Sequence, residues 1–262
     1  MTIIASIVLG IIEGVTEFLP VSSTGHLILM AEILKLPTTE FLKSFEVVIQ
    51  LGAIGAVMVL YWRKLLLNRA VLKRVIVAFL PTALIGLVCY KFIKTYLLGD
   101  SRVVLVALFV GGLILVLFEF WQSRRSLGGL TSKLENLAEM PYWQAVVLGL
   151  CQSVAMIPGV SRSAATIVGG LALGLKREMI VEFSFLLAVP TMVAATGLDL
   201  VKSSVGFSLN EWGLLLVGLM VAFLSALLAI KSFLNYIRHH DFIAFGLYRI
   251  IIALAFASIF FI

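Results

Sequence analysis

Two polar runs carry the residue types of a phosphate-handling site within an otherwise apolar chain. Residues 13–26 read EGVTEFLPVSSTGH and combine two carboxylates with several hydroxyls and a histidine. Residues 158–166 read PGVSRSAAT and supply an arginine, which the first run lacks. Ionisable groups among membrane-like apolar segments are costly and usually line a cavity or a reaction centre. The two runs are therefore the first candidates for a functional site.

Glu13 and Glu17 are four residues apart, so on a helix their carboxylates lie on one face. Two like charges at that distance need a cation or a shared proton. A divalent cation, Mg²⁺ or Ca²⁺, takes carboxylate oxygens together with substrate phosphate. We therefore expect Glu13 and Glu17 to be metal ligands. The alternative is that one glutamate is protonated and only hydrogen-bonded.

The hydroxyl-rich stretch after Pro20 has the composition of a helix start. Its residues Ser22, Ser23, Thr24 and Gly25 precede an apolar helical run, and the free N–H groups of such a start can hold an anion. Capping alone would explain one serine, so the surplus favours phosphate binding. His26 follows directly, and beside two glutamates it favours a proton-transfer or nucleophilic role over a purely structural one.

Arg162 lies between Ser161 and Ser163 and follows Pro158-Gly159, again at an expected helix start. An arginine at membrane depth is costly unless it is paired, and its planar fork suits bidentate contact with phosphate. We expect Ser161, Arg162 and Ser163 to bind the same phosphate as the first run. Structural pairing of Arg162 with one of the two glutamates is the alternative.

The composition predicts an all-α polytopic membrane protein. Mean hydropathy is +1.13 and only 13% of residues are charged, and apolar spans of about 20 residues recur. Six segments are long enough to cross a bilayer: Phe45–Trp62, Val75–Phe92, Val103–Trp121, Val181–Val201, Trp212–Phe233 and Phe242–Ile262. The net charge of +6 fits basic cytoplasmic loops better than nucleic-acid binding, since no basic face with interleaved aromatic residues occurs.

Two further regions, residues 3–34 and 143–175, consist of short apolar pieces that are broken by proline. Each is interpreted as a re-entrant helix, loop and helix, with one kinked spanning helix as the alternative. At an offset of 139 positions, Gly10, Val15, Val21 and Ser22 fall on residues of the same type, namely Gly149, Val154, Val160 and Ser161.

The order of elements recurs together with these identities. It predicts one membrane domain, 1–262, built as an inverted repeat of residues 1–125 and 140–262. Each half then has one re-entrant helix-loop-helix and three transmembrane helices.

The orientation follows from the basic residues outside the segments. Twelve Lys and Arg lie on one predicted face, in the stretches 63–74, 124–133 and 176–177 and at Lys231 and Arg238, against six on the other face. The positive-inside rule makes the first face cytoplasmic and places both termini outside the cytoplasm.

The same runs, with three others, resemble one family over nearly the whole chain. EGVTEFLPVSSTGH and PGVSRSAAT are accompanied by SFEVVIQLGAI at 44–54, EFSFLLAVP at 182–190, and YR at 248–249. Together they are similar to the undecaprenyl-diphosphate phosphatases of the bacitracin-resistance type, found in the bacterial plasma (inner) membrane. One departure is Ala164, where the family commonly has glycine.

The resemblance implies hydrolysis of undecaprenyl diphosphate to undecaprenyl phosphate and inorganic phosphate, which recycles the carrier lipid for peptidoglycan synthesis and confers bacitracin resistance. Such a site would use Glu17, Ser23, His26 and Arg162 catalytically. Ser23 is the expected nucleophile, with His26 as its base or as the nucleophile itself. The competing class is a polyprenyl-phosphate flippase or secondary transporter, and a binding-only receptor is a weaker third. The expected partners are the lipid diphosphate and the bilayer, with a homodimer left open.

Overall fold

The computed structural model describes residues 1–92, 97, 101–126, 136–202 and 206–261. The described residues form helices and connecting turns without any strand. The α-helices, numbered in chain order, are α1 Ile3–Thr16, α2 Ser23–Ile33, α3 Glu40–Val48, α4 Gln50–Trp62, α5 Arg69–Phe92, α6 Ser101–Ser126, α7 Tyr142–Ser153, α8 Arg162–Ala172, α9 Arg177–Lys202, α10 Leu209–Ile237 and α11 Ile243–Phe261.

Five of the six predicted spans are confirmed as helices long and apolar enough to cross a membrane. They are Glu40–Leu67, Arg69–Cys89, Ser101–Arg124, Arg177–Val201 and Leu209–Ile237. The first of these combines α3, α4 and a short π-helical turn. The sixth prediction corresponds to α11, whose described apolar part, Ile243–Ile259, is shorter than the other five. The chain is thus a multi-pass helical protein by length and composition.

The two regions predicted as broken each form a pair of short helices. In the first, α1 has 14 residues and α2 has 11; in the second, α7 has 12 and α8 has 11. At 1.5 Å per residue, the longest of the four is about 21 Å, less than the roughly 30 Å of a bilayer core. None of the four helices can therefore cross a membrane alone if it stands upright.

Two of the short helices, α1 and α7, make their most extensive contacts with long helices from the other half of the chain. Helix α1 packs on α10 and α7 packs on α5, while α6 packs on α11. The approach is close: a Cβ atom at Gly10 would lie 2.7 Å from the carbonyl oxygen of Gly218, and one at Gly149 would collide with the carbonyl of Ala78. This backbone contact fixes α1 and α7, and with them the turns that follow.

Two of the basic residues counted for the orientation, Lys94 and Lys133, lie outside the described residues.

One core cluster of buried apolar side chains includes Phe18, Phe183 and Phe185. Phe18 packs edge-on against Phe185, with ring centroids 5.1 Å apart. This contact joins the first turn to α9, whose Ser184 carbonyl also accepts a hydrogen bond from Arg162 at the start of α8.

Candidate active site

Two serines begin α2 and α8 in the same unusual backbone conformation. Ser22 has φ 72° and Ser161 has φ 75°, which is the left-handed region that non-glycine residues rarely adopt. Each serine caps its helix: the Ser22 hydroxyl accepts from the N–H of Gly25 at 3.3 Å, and the Ser161 hydroxyl accepts from the N–H of Ala164 at 3.2 Å. Both hydroxyls are therefore used as helix caps.

The carboxylate of Glu17 joins the two polar runs. One of its oxygens accepts a hydrogen bond from the Arg162 guanidinium at 2.9 Å. Its other oxygen accepts a hydrogen bond from the hydroxyl of Ser23. Glu17 and Arg162 are nearly inaccessible, with side chains 3% and 7% exposed. Glu17 therefore contacts a buried hydroxyl and a buried cation at once.

The guanidinium of Arg162 keeps its Nε–H for a further acceptor. Its second terminal nitrogen donates to the carbonyl of Ser184 at 2.8 Å. Its Nε–H is buried and finds no hydrogen-bond partner in the described part of the chain. A buried donor without a partner is costly. An anion at this position would satisfy it.

Ser163 holds the second run to the first. Its hydroxyl donates to the carbonyl of Leu19 at 2.7 Å, and it lies 3.1 Å from the hydroxyl of Ser161. These contacts bring the start of α8 against the turn that follows α1. Ser163 is fully buried, so in this arrangement it ties the runs together.

His26 is oriented by contacts away from Ser23. Its Nδ1 lies 2.7 Å from the carbonyl oxygen of Ser22. Because a carbonyl can only accept, Nδ1 carries a proton, and in the neutral ring Nε2 is then an acceptor. Nε2 lies 2.8 Å from the hydroxyl of Tyr248, whose ring is nearly parallel to the imidazole. Neither of these two contacts of the imidazole is made with Ser23.

Glu13 is fully enclosed, as Ser163 is. It is fully buried, and neither carboxylate oxygen has a hydrogen-bond partner among the described residues. A bound divalent cation would satisfy these oxygens, and so would a proton shared with the neighbouring Glu17. The described residues contain no group of three or more His, Cys, Asp and Glu side chains suited to a metal. Any ion would then depend on oxygens from the substrate and water.

The structure thus brings together some predicted site residues more directly than others. Glu17 contacts both Ser23 and Arg162, and Ser163 connects the start of α8 to the turn after α1. Ser22, Gly25 and Ser161 take part in helix capping, while half-exposed Thr24 lies in the first turn of α2.

Two neighbours of the site, Tyr248 and Arg249, were given no role by sequence reasoning. Tyr248 contacts His26, and Arg249 contacts the backbone of both turns. The sequence signal that could have identified Arg249 is its place in an apolar stretch. An arginine there is costly to bury and is usually functional.

One known protein family matches nearly the whole chain. The model of the family described as "Bacitracin resistance protein BacA" matches residues 6–255. The chain belongs to this family. Proteins named undecaprenyl-diphosphatase from Aquifex aeolicus and a Sulfurihydrogenibium species are 48% and 49% identical to this chain. The first alignment covers 99% of both chains, and the second covers 97% of this chain and 98% of the relative.

A more distant relative gives the same result. The protein of that name from Thermus thermophilus is 44% identical over 97% of this chain and 96% of its own length. The BacA family match spans residues 6–255, so it includes both polar runs and the helices between them. The alignments with the three relatives also run almost end to end.

Proposed function

We propose that the protein hydrolyses undecaprenyl diphosphate to undecaprenyl phosphate and inorganic phosphate. The observation that carries this proposal is the carboxylate of Glu17, which contacts the Ser23 hydroxyl and the Arg162 guanidinium at once. The names of the full-length relatives support the same substrate. In the cell this reaction would return the carrier lipid to peptidoglycan synthesis and would confer resistance to bacitracin.

The geometry suits a covalent route. The Ser23 oxygen forms a bond to the terminal phosphorus, and Glu17 takes the hydroxyl proton through the oxygen that already faces it. The bond from this phosphorus to the bridging oxygen breaks, and the electron pair leaves with the lipid monophosphate. Water then attacks the phosphoserine, and the bond between its phosphorus and the Ser23 oxygen breaks. Glu17 returns its proton to that oxygen, and the protons of the water leave with inorganic phosphate.

Charge repulsion is the main obstacle to such an attack, because the phosphoryl group and the leaving group are both anionic. Arg162 reduces this repulsion, because it supplies a buried positive charge and an unused Nε–H. The leaving group is itself a phosphate with a second pKa of about 6, so it needs little help from an acid. We assign His26 a supporting proton-transfer role, since Glu17 is the group that faces Ser23.

A divalent cation, Mg²⁺ or Ca²⁺, is part of the proposal. Glu13 would hold it with both unpaired oxygens, and Glu17 is its expected second ligand. When bound, the ion would neutralise charge on the phosphates. Both oxygens of Glu17 are already engaged by Ser23 and Arg162. This engagement makes Glu13 the stronger candidate of the pair.

We propose that the two halves, 1–125 and 140–262, are inverted repeats with re-entrant helix pairs. Two observations support the idea. The short helices exchange partners symmetrically, α1 on α10 and α7 on α5, and Ser22 and Ser161 share one conformation 139 positions apart. In the bacterial plasma membrane, with both termini outside the cytoplasm, the first turn would enter from the outer face.

The test is phosphate release from a polyprenyl diphosphate by the detergent-purified protein, with and without a chelator. We expect release from the unmodified protein and none from Ser23→Ala. A flippase or transporter, which the repeat architecture also suits, would release no phosphate in detergent. Absence of release from folded, metal-supplied protein would therefore favour that second class.

A further inference from the structure

Arg249 is fully buried on α11 and gives all five of its N–H donors to backbone carbonyls. Nε donates to Leu108 at 3.4 Å, Nη1 to Pro20 at 3.2 Å and Val160 at 3.0 Å, and Nη2 to Ala107 at 3.1 Å and Gly159 at 3.0 Å. The acceptors come from α6 and from both turns of the candidate active site. One side chain thereby contacts three separate segments.

Carbonyl groups in a turn have no partner inside a helix, and no water solvates them at membrane depth. A guanidinium can satisfy several at once, because its donors form a planar fork. The carbonyl dipoles in return stabilise a cation that would otherwise be costly to bury. This arrangement explains why an arginine can occupy an apolar helix.

The guanidinium of Arg249 connects carbonyl groups at equivalent positions of the two turns. Pro20 and Gly159 are 139 positions apart, the same offset that relates Ser22 to Ser161. Each of these carbonyls stands two residues before a serine with positive φ. The next residue after each serine is Ser23 in one turn and Arg162 in the other.

We propose that Arg249 is a positioning residue, which fixes Ser23 relative to Arg162 by holding the two turns together. The inference rests on the proposed hydrolysis. Arg249 itself donates only to backbone carbonyls in the described structure. It acts through the backbone of the turns.

The first variant is Arg249→Lys, which keeps the charge but offers three donors on a flexible stem. Some of the five carbonyls must lose their partner, and the turns can separate. Misplacement of reacting groups by about 1 Å costs on the order of 100-fold in rate. We therefore expect kcat of the folded variant to fall by about that factor, with KM little changed because the buried Arg249 offers no surface to the lipid.

A second variant leaves the arginine in place. A Cβ atom at Gly111 on α6 would collide with Nη2 of Arg249, so Gly111→Ala should displace the fork and also lower kcat. Alanine favours a helix over glycine by about 1 kcal/mol, so weakening of α6 would not explain the loss. The matched control is Gly197→Ala on α9, where a Cβ atom would meet nothing within 4 Å. It should leave kcat unchanged.

The measurement is kcat and KM of monodisperse protein, per folded molecule, for the unmodified chain and the three variants. A merely structural role for Arg249 would lower yield and melting temperature and leave kcat of the folded fraction intact. Unchanged kcat in Arg249→Lys would overturn the positioning role; if that variant does not fold, unchanged kcat in Gly111→Ala would do so. Failure of the unmodified protein to release phosphate would instead count against the proposed function.

Discussion

Arg162 and Glu17 form a buried ion pair at 2.9 Å between residues 145 positions apart. The pair joins the start of α8 to the turn after α1, and the same carboxylate accepts a hydrogen bond from Ser23. Removing one partner of a buried pair leaves an uncompensated charge. Substitutions at this pair should therefore affect both the chemistry and the fold of the site.

Arg162→Ala should abolish phosphate release, and Arg162→Lys should restore little. A lysine cannot contact Glu17, the carbonyl of Ser184 and a phosphate with one planar fork. We expect at least a 100-fold loss in both, in line with the loss of a transition-state donor. The measurement is kcat per folded molecule, with Arg177→Lys as a control, because Arg177 lies at the start of α9 and pairs with Glu119 instead. Near-normal turnover in Arg162→Lys would contradict the bidentate role.

The proposed orientation can be tested with single cysteines. After Cys89→Ser and Cys151→Ala remove the native thiols, Arg69→Cys and Thr38→Cys place exposed thiols on the two predicted faces. The distribution of basic residues predicts that only Thr38→Cys reacts with an impermeant reagent in intact cells. Reaction of Arg69→Cys under those conditions, with Thr38→Cys protected, would reverse the orientation.

Much of the fold could be predicted from the sequence, because bilayer crossing imposes length and hydropathy on each span. The breaks at Pro20 and Pro158-Gly159 were visible for the same reason, since short apolar pieces cannot span. The pairing of Arg162 with a glutamate was foreseeable as an alternative, because a buried arginine needs a partner.

Which groups meet within the site could not be predicted. Spacing placed Glu13, Glu17 and His26 near Ser23 without distinguishing them, and the structure sets Glu17 against the hydroxyl. The five acceptors of Arg249 are backbone carbonyls, which every residue possesses, so no side-chain pattern reveals them. Tyr248 reaches His26 across 222 positions, a contact that only the folded chain creates.

Tyr248→Phe should lower kcat modestly by releasing His26. Phenylalanine keeps the stacked ring and removes the hydroxyl 2.8 Å from Nε2. A hydrogen bond of this kind contributes about 1 kcal/mol, which corresponds to about a fivefold change. If Tyr248 acts only through His26, the substitution should have no further effect in a His26→Ala background. An equal loss of kcat in both backgrounds would show that the tyrosine acts independently.

Divalent-ion dependence should separate the two carboxylates. Glu13 has both oxygens unpaired, whereas both oxygens of Glu17 are engaged by Ser23 and Arg162. Glu13→Gln should weaken metal binding, so its activity should recover in part as Mg²⁺ or Ca²⁺ is raised, since mass action offsets lower affinity. Glu17→Gln should not recover, because added metal cannot replace the group that takes the Ser23 proton.

The decisive comparison is a metal titration of phosphate release and of thermal stabilisation for Glu13→Gln and Glu17→Gln, with Ser23→Ala as the inactive reference. Metal should still stabilise Ser23→Ala against heat, because its carboxylates are intact. If added metal restores the activity of Glu17→Gln, Glu17 acts mainly as a metal ligand and not as the base for Ser23. Activity of Glu13→Gln that is normal at limiting metal would remove Glu13 from the proposed metal site.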